Sequence, residues 1–371
     1  MEKIVVIGVG FIGEYMGRGI RAVMETDDLH GKVFGVKGSP SGLDERARIL
    51  GYDVSVADSG PVIHRERPTI ILLSPPPTRA EEILRNDIRP YCDICRREGR
   101  PLPDIYSYIP SPSPSVIRDL LGEGVNVVKI LPNILDRVRG YDLSPYGINY
   151  LTFPEGIDWP REREALLYRC MDCYGHTVAI SDTDSLALLA GKITSHVCYE
   201  VSYTIEEQLR ELGSDITLSG IGMAMREAQY ELFPSAERIG KSGYTLDGAV
   251  DAFIRDFIRG WFAGLNRFTH DTIHDISLTE ADRIDMCSFL LNVFPIAHSP
   301  RNVLEQDTRN AATKGGILER GIEVFRETVE ARLRDMLKRH LAGSSVNIAG
   351  SAEEWAYLIS KEAYRRSLHL A

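Results

Sequence analysis

Three glycines near the start of the chain, Gly8, Gly10 and Gly13, have the spacing at which a backbone can meet a diphosphate. They follow the apolar run Ile4 to Ile7, which suits a buried parallel strand. In such a setting the first glycine allows a tight turn, the second lets a pyrophosphate approach the backbone, and the third permits the next helix to pack closely on the sheet. Phe11 and Ile12, inside the turn, belong to the same candidate cofactor site. A second group carries proton chemistry. Lys192 and His196 are four residues apart and share one face of an expected helix, with Thr194 and Ser195 beside them and Tyr199 a further turn along. Reduction of a carbonyl generates an alkoxide that needs a proton from a nearby Lys, His or Tyr, whereas a protonated iminium needs less help. Lys192 and His196 are therefore the candidate catalytic pair, and Thr194, Ser195 and Tyr199 candidate substrate contacts.

Other candidates stand at the ends of expected strands. Lys32 to Val36 reads as a second strand and runs into Lys37-Gly38-Ser39. An acidic residue at that place holds the ribose 2'-hydroxyl of NAD, while a basic residue and a hydroxyl suit a 2'-phosphate. Lys37, Ser39 and the nearby Arg46 favour NADPH over NADH, against Asp44; a deazaflavin is a further alternative. The run Thr69 to Leu73 ends at Ser74-Pro75, expected to line the cofactor groove at the carboxyl edge of the sheet. Val125 to Leu131 delivers Pro132-Asn133, where an asparagine can donate to and accept from a cofactor carboxamide or a polar substrate group.

These residues require a particular scaffold. Strands and helices alternate through the first half, with further strands expected at Val54, Ile105 to Ile109, Ile148 to Phe153 as an edge strand, and Thr177 to Ile180. After Asp182 the pattern becomes long helices: Leu186 to Leu212, Ser219 to Leu232, Leu246 to Phe268, Glu280 to Leu291 and Lys314 to Leu341. The expected fold is α/β, an N-terminal Rossmann-like doubly wound sheet over residues 1–180 followed by an all-helical domain over 181–371 for substrate binding and dimerisation. A small-molecule substrate is expected between the domains, and a homodimer rather than a monomer.

A net charge of -10 disfavours nucleic acid or an anionic membrane as the partner. No stretch is apolar enough to span a bilayer, and Met1 to Lys3 leads directly into the first strand, so a cytoplasmic location is expected. Cys92/Cys95 and Cys170/Cys173, with His176 beyond, have ligand-compatible spacing, but each pair falls in an expected helix where burial as small apolar side chains explains it better than metal. His270 and His274, alternating with Asp271 and Asp275, read as a solvent-facing helix end rather than a metal site. Lys314-Gly315-Gly316 could present amides and one positive charge to a substrate carboxylate.

Four segments together resemble the pyrroline-5-carboxylate reductase family: Ile7-Gly8-Val9-Gly10-Phe11-Ile12-Gly13, Lys129-Ile130-Leu131-Pro132-Asn133, Gly175-His176-Thr177-Val178-Ala179-Ile180-Ser181-Asp182, and Ala312-Thr313-Lys314-Gly315-Gly316. The resemblance implies an NADPH-dependent, dimeric reductase of a cyclic imine with a helical C-terminal domain. It assigns Gly8, Gly10 and Gly13 to the cofactor and Pro132-Asn133 to the neighbourhood of the nicotinamide. The stretch Asp184 to His196 and the residues around Lys314 depart from the family pattern, which implies a different imine. The Lys192/His196 pair keeps a carbonyl or 2-hydroxyacid oxidoreductase open, and it loosely resembles the beta-hydroxyacid dehydrogenases. A non-enzymatic nucleotide-binding or assembly protein is the third reading.

Overall fold

The computed structural model describes residues 2–26, 29–40, 51–132, 148–156, 158–172, 176–181, 184, 190, 196–232, 244, 246, 248–273, 289–312 and 314–370. The chain divides into two compact units, Met1–Ser185 with Leu370–Ala371, and Leu186–His369. The first is a Rossmann-like domain built on a mixed sheet, and the second is mostly helical.

The first unit begins with β1 (Lys3–Ile7), whose apolar residues are buried because neighbours cover both faces. It pairs in parallel with β2 (Lys32–Lys37) and β4 (Ile70–Leu73), and β2 pairs in parallel with β3 (Asp53–Val56). The sheet continues through β5 (Asp104–Ser107), β6 (Val127–Leu131), β7 (Ile148–Thr152) and β8 (His176–Ala179), in the order 3-2-1-4-5-6-7-8. Its first six strands have the dinucleotide-binding Rossmann order. Successive residues of each strand enter different cores. Ile4, Val6, Leu72 and Tyr106 pack on one face with Met16 and Ile20 of α1 (Phe11–Met24), while Val5, Ile7, Ile71 and Leu73 pack on the other.

That second face is covered by α2 (Ser59–Glu66), by α3 (Pro77–Ile83) running through a π turn (Leu84–Ile88) into α4 (Arg89–Arg97), and by α5 (Pro114–Leu121). Helix α5 starts where the sequence requires it: Pro114 occupies the first turn and Ser113 Oγ accepts from Val116 N. α6 (Arg161–Asp172) packs on the α1 side. One expectation needs correction. Ile148–Thr152 is not an edge strand but lies between β6 and β8, antiparallel to the first and parallel to the second. Reversing one strand inside a sheet leaves both of its neighbours paired, and the apolar residues are buried in either direction.

The helical unit comprises α7 (Cys198–Glu211), α8 (Leu218–Leu232), α9 (Gly248–Thr272), α10 (Phe289–His298), α11 (Arg301–Ala311), α12 (Ile317–Val324), α13 (Glu330–Leu341) and α14 (Ile348–Leu370) among the described residues. A second π turn (Phe325–Val329) joins α12 to α13. Trp261, Phe253, Phe257 and Phe325 are fully buried at its centre. Helices α9 and α14 touch backbone to backbone: a Cβ placed on Gly260 would stand 2.0 Å from Ala349 O, and one on Gly264 2.2 Å from Glu353 O. The expected helix Glu280 to Leu291 lies mostly outside the described residues, and α11 and α14 are additions to the expected set.

Candidate functional site

In the first unit, the carboxyl edge of the sheet carries the glycine turn. Gly8 leaves β1 at φ +89, and its N–H and that of Val9 both donate to Val36 O, at 3.0 and 3.1 Å, which binds the turn to the end of β2. A side chain at Gly8 would strike Ser74 O at 2.5 Å, and one at Gly13 would strike Gly8 O at 2.2 Å. Gly10 is different: a Cβ there would meet nothing within 4 Å. Two glycines are therefore demanded by packing, and the middle one stands below open space.

Gly10 is also the N-cap of α1, in extended conformation at φ -108, and it supplies no side-chain cap. The first-turn N–H groups of a helix have no partner within it, and they carry the positive end of its dipole. Open space, the positive end of the helix dipole and a glycine cap fit a diphosphate at this point. Ile12 is half-buried against the α1-side core, and Phe11 is the first helical residue.

Ser74 is tied to the glycine turn. Its Oγ lies 3.1 Å from Ile7 O and 3.0 Å from Gly8 O, and its N–H donates to Ile7 O at 2.9 Å. The hydroxyl is spent on holding the glycine turn, with buried Pro75 following. Lys37 ends β2 directly after Val36, whose carbonyl anchors the turn, and Ser39 is exposed two residues on. Arg46, Asp44 and Asn133 lie outside the described residues.

Sequence reasoning passed over Lys129. It is 2% exposed in β6, in register with Ser107 on one side and Thr152 on the other, both buried. The signal was a lysine inside the apolar run Val127 to Leu131, since a charge is placed in a strand interior only where other groups compensate it.

In the helical unit, one described residue of the expected catalytic stretch lies near the start of α12. Ala190 and Ile317 share one buried cluster with Phe268 and Ala363, and a Cβ on Gly321 would stand 3.4 Å from Val197 Cγ2. His196 is half-buried, its Nε2 3.3 Å from Thr308 Oγ1 and its ring 4.5 Å from that of Tyr199. Tyr199, expected as a substrate contact, is 3% exposed and belongs to the helical core. Lys192, Thr194 and Ser195 lie outside the described residues.

Lys314 is exposed, Gly315 turns at φ +72, and Gly316 caps α12. The amides expected to face a substrate carboxylate have a competing use. The Gly315 N–H already donates to the Glu319 carboxylate, and Gly315 O accepts from Arg366 Nε at 2.7 Å.

Cys92 and Cys95 are both fully buried in α4, and burial pushes the Cys92 thiol up to about 12. Cys170 and Cys198 are buried as well, while Cys173 and the side chain of His176 are not described. His270 is exposed at the end of α9, and Asp271 beside it accepts from Tyr357 Oη at 2.7 Å; His274 and Asp275 lie outside the described residues. Among the described residues no three His, Cys, Asp or Glu side chains are gathered to hold a metal, and no helix is long and apolar enough to cross a membrane.

No protein-family model matches the chain, and no curated protein matches it. Solved structures similar to it include a pyrroline-5-carboxylate reductase from Coxiella burnetii, 16% identical with a TM-score of 0.40, covering 95% of this chain and 98% of that one. A prephenate dehydrogenase from Aquifex aeolicus is 13% identical with a TM-score of 0.39, covering 92% and 97%. A glycerol-3-phosphate dehydrogenase from Saccharomyces cerevisiae is 12% identical with a TM-score of 0.40, covering 96% and 99%. At these values the likenesses carry no argument about chemistry. The fold itself, from its own strand order and glycine turn, is Rossmann-like.

Proposed function

We propose that this chain is an NADPH-dependent oxidoreductase that reduces the C=N bond of a cyclic imine, similar to pyrroline-5-carboxylate reductases but with a different substrate, and works as a cytoplasmic homodimer. The observation that carries the cofactor is the open space at Gly10 between two glycines that packing demands. In this reading the first turn of α1 takes the diphosphate, Ser74 keeps the turn in place, and Lys37 with Ser39 meets a 2'-phosphate. Asn133 would contact the nicotinamide or the substrate. When bound, the reduced nicotinamide supplies a hydride; this chain binds, orients and excludes water.

The substrate class rests on the four family-like segments. Purified protein should oxidise NADPH when supplied with cyclic imines, followed by the loss of reduced-nicotinamide absorbance. NADPH binding with no turnover across imines and carbonyls would instead support a nucleotide-binding or assembly role. A second reading, a carbonyl or 2-hydroxyacid oxidoreductase, is favoured by the half-buried His196 held against Thr308 and Tyr199, a group suited to giving up a proton. Turnover of keto acids but not imines, lost in His196→Gln, would select it. Light scattering on the purified chain tests the dimer.

A further inference from the structure

Both main-chain groups of Gly315 have partners from within the helical unit. Its N–H donates to the carboxylate of Glu319, the third residue of α12, a reach back across the helix start of the kind that a glutamate makes in a capping box. Its carbonyl accepts from Arg366 Nε at 2.7 Å, and Arg366 Nη2 would stand 3.0 Å from a Cβ at this glycine, so the guanidinium of α14 lies directly against the same residue. Gly315 turns at φ +72, where a side chain is strained, and Gly316 caps α12 with no side chain of its own. From the sequence, an amide of this turn is expected to receive a substrate carboxylate. A carboxylate of the chain already stands there. Among the described residues Glu319 has no ion-pair partner: Arg320, next along, is turned to Glu323 at 3.2 Å, Glu327 at 3.7 Å and Glu362 at 3.7 Å.

We infer that Glu319 is a specificity-determining residue that closes the Gly315 amide to an acid group, so that the imine this protein reduces carries no carboxylate where it meets that turn. The substrate class rests on the functional reading above, whereas the closed amide rests on the hydrogen bonds of Gly315 alone. A carboxylated imine could take the amide only by displacing Glu319, which would leave that side chain without its donor and beside a second negative charge. An uncharged imine makes no such demand, and its protonated form is attracted to Glu319 rather than repelled. Arg366 and Lys314 carry the opposite sign, but Arg366 is directed to the Gly315 carbonyl and Lys314 is exposed, while Glu319 holds the donor itself. Discrimination of this kind comes from a group set against the wrong ligand.

The amide can be observed by itself. In the full chain labelled with carbon-13 at lysine carbonyls and nitrogen-15 at glycine, only Lys37-Gly38 and Lys314-Gly315 give a correlated peak. Gly38→Ala, whose Cβ would meet nothing within 4 Å, removes the first and identifies the second. Titration with cyclopentanecarboxylate, a ring acid with no imine, should leave the Gly315 peak in place in the wild type and shift it saturably in Glu319→Ala. Glu319→Gln keeps an acceptor on the amide and removes the charge, and serves if the alanine variant does not fold; it should bind the acid about tenfold tighter than the wild type. A saturable shift in the wild type, or no gain in a folded variant, would overturn the proposal. Turnover is read separately, with NADPH and either pyrroline or its carboxylates. The wild type should favour the uncharged ring by about tenfold or more in kcat/KM, and Glu319→Ala should erase the preference. Equal or faster reduction of a carboxylated imine by the wild type would overturn the proposal and keep the reductase. No reduction of any imine, with the expected peaks, would remove the functional reading and leave the amide closed.

Discussion

Replacing Gly10 by aspartate should stabilise the protein and abolish the proposed NADPH binding, two effects of opposite sign from one side chain. Nothing stands within 4 Å of the position a Cβ would take, so the fold accepts the substitution without repacking. The residue is the N-cap of α1 in extended backbone, where aspartate is a better cap than glycine by a few tenths of a kcal/mol and interacts favourably with the helix dipole by about 0.3–1 kcal/mol. Together these give about 0.5–1 kcal/mol, a rise in melting temperature of roughly 1–4 °C for a unit of this size. The same carboxylate would occupy the space proposed for the diphosphate. Like charges about 4 Å apart at an effective dielectric constant near 20 repel by about 4 kcal/mol, on the order of a thousandfold in Kd. Thermal unfolding and calorimetric titration with NADPH measure the two effects on one preparation. A Gly10→Asp protein that melts higher yet binds NADPH within threefold of the wild type would refute the placement of the diphosphate. Gly13→Ala is the contrast: its Cβ would stand 2.2 Å from Gly8 O, so it should destabilise by about 1–3 kcal/mol whether or not a nucleotide binds.

Ser74→Ala removes the hydroxyl that holds the glycine turn, and should cost about 1 kcal/mol of stability and about fivefold in NADPH affinity, read by denaturant unfolding and titration. Arg163→Met strips the partner from Asp104, which is 2% exposed at the amino end of β5; the expected loss is about 3–5 kcal/mol with NADPH affinity unchanged, because the pair lies at the opposite edge of the sheet from the glycine turn. Burial pushes the Glu207 carboxyl up, but hydrogen bonds from Arg334 and Arg301 more than reverse this and hold it below its ordinary value of 4.5. A depressed folded pKa contributes stability that is present above the unfolded value and lost as the pH falls through the folded one. The melting-temperature advantage of wild type over Glu207→Gln should accordingly be full at neutral pH and fade below about pH 4.5; a constant gap down to about pH 3 would contradict it.

The first turn of the chain was legible because glycines report backbone needs directly. A positive φ at Gly8 and a close approach at Gly13 leave no other residue type comfortable there. Helix α5 was legible for a similar reason, since Ser113 and Pro114 mark its start. Strand direction was not, because the apolar pattern of Ile148–Thr152 is the same read either way along a neighbour. Helix α11 escaped notice because Leu304 is its one buried residue and leaves no apolar period to detect. At the candidate site the residue types were visible but their destinations were not. Serine at position 74 and tyrosine at position 199 each suit a ligand, and tertiary packing spends the first on backbone carbonyls and buries the second in the helical core.

The two π turns bear on how this chain can change length. A π turn holds one residue more than the α-helical turn it replaces, while the helix on either side keeps its bearing. Leu84–Ile88 in one unit and Phe325–Val329 in the other are therefore slots with a spare residue. A single deletion inside either slot would be absorbed as regular helix, leaving Cys92 or Leu333 addressed to the same core. The same deletion a few residues away would rotate everything downstream in that helix by about 100°, turning the apolar stripe toward solvent.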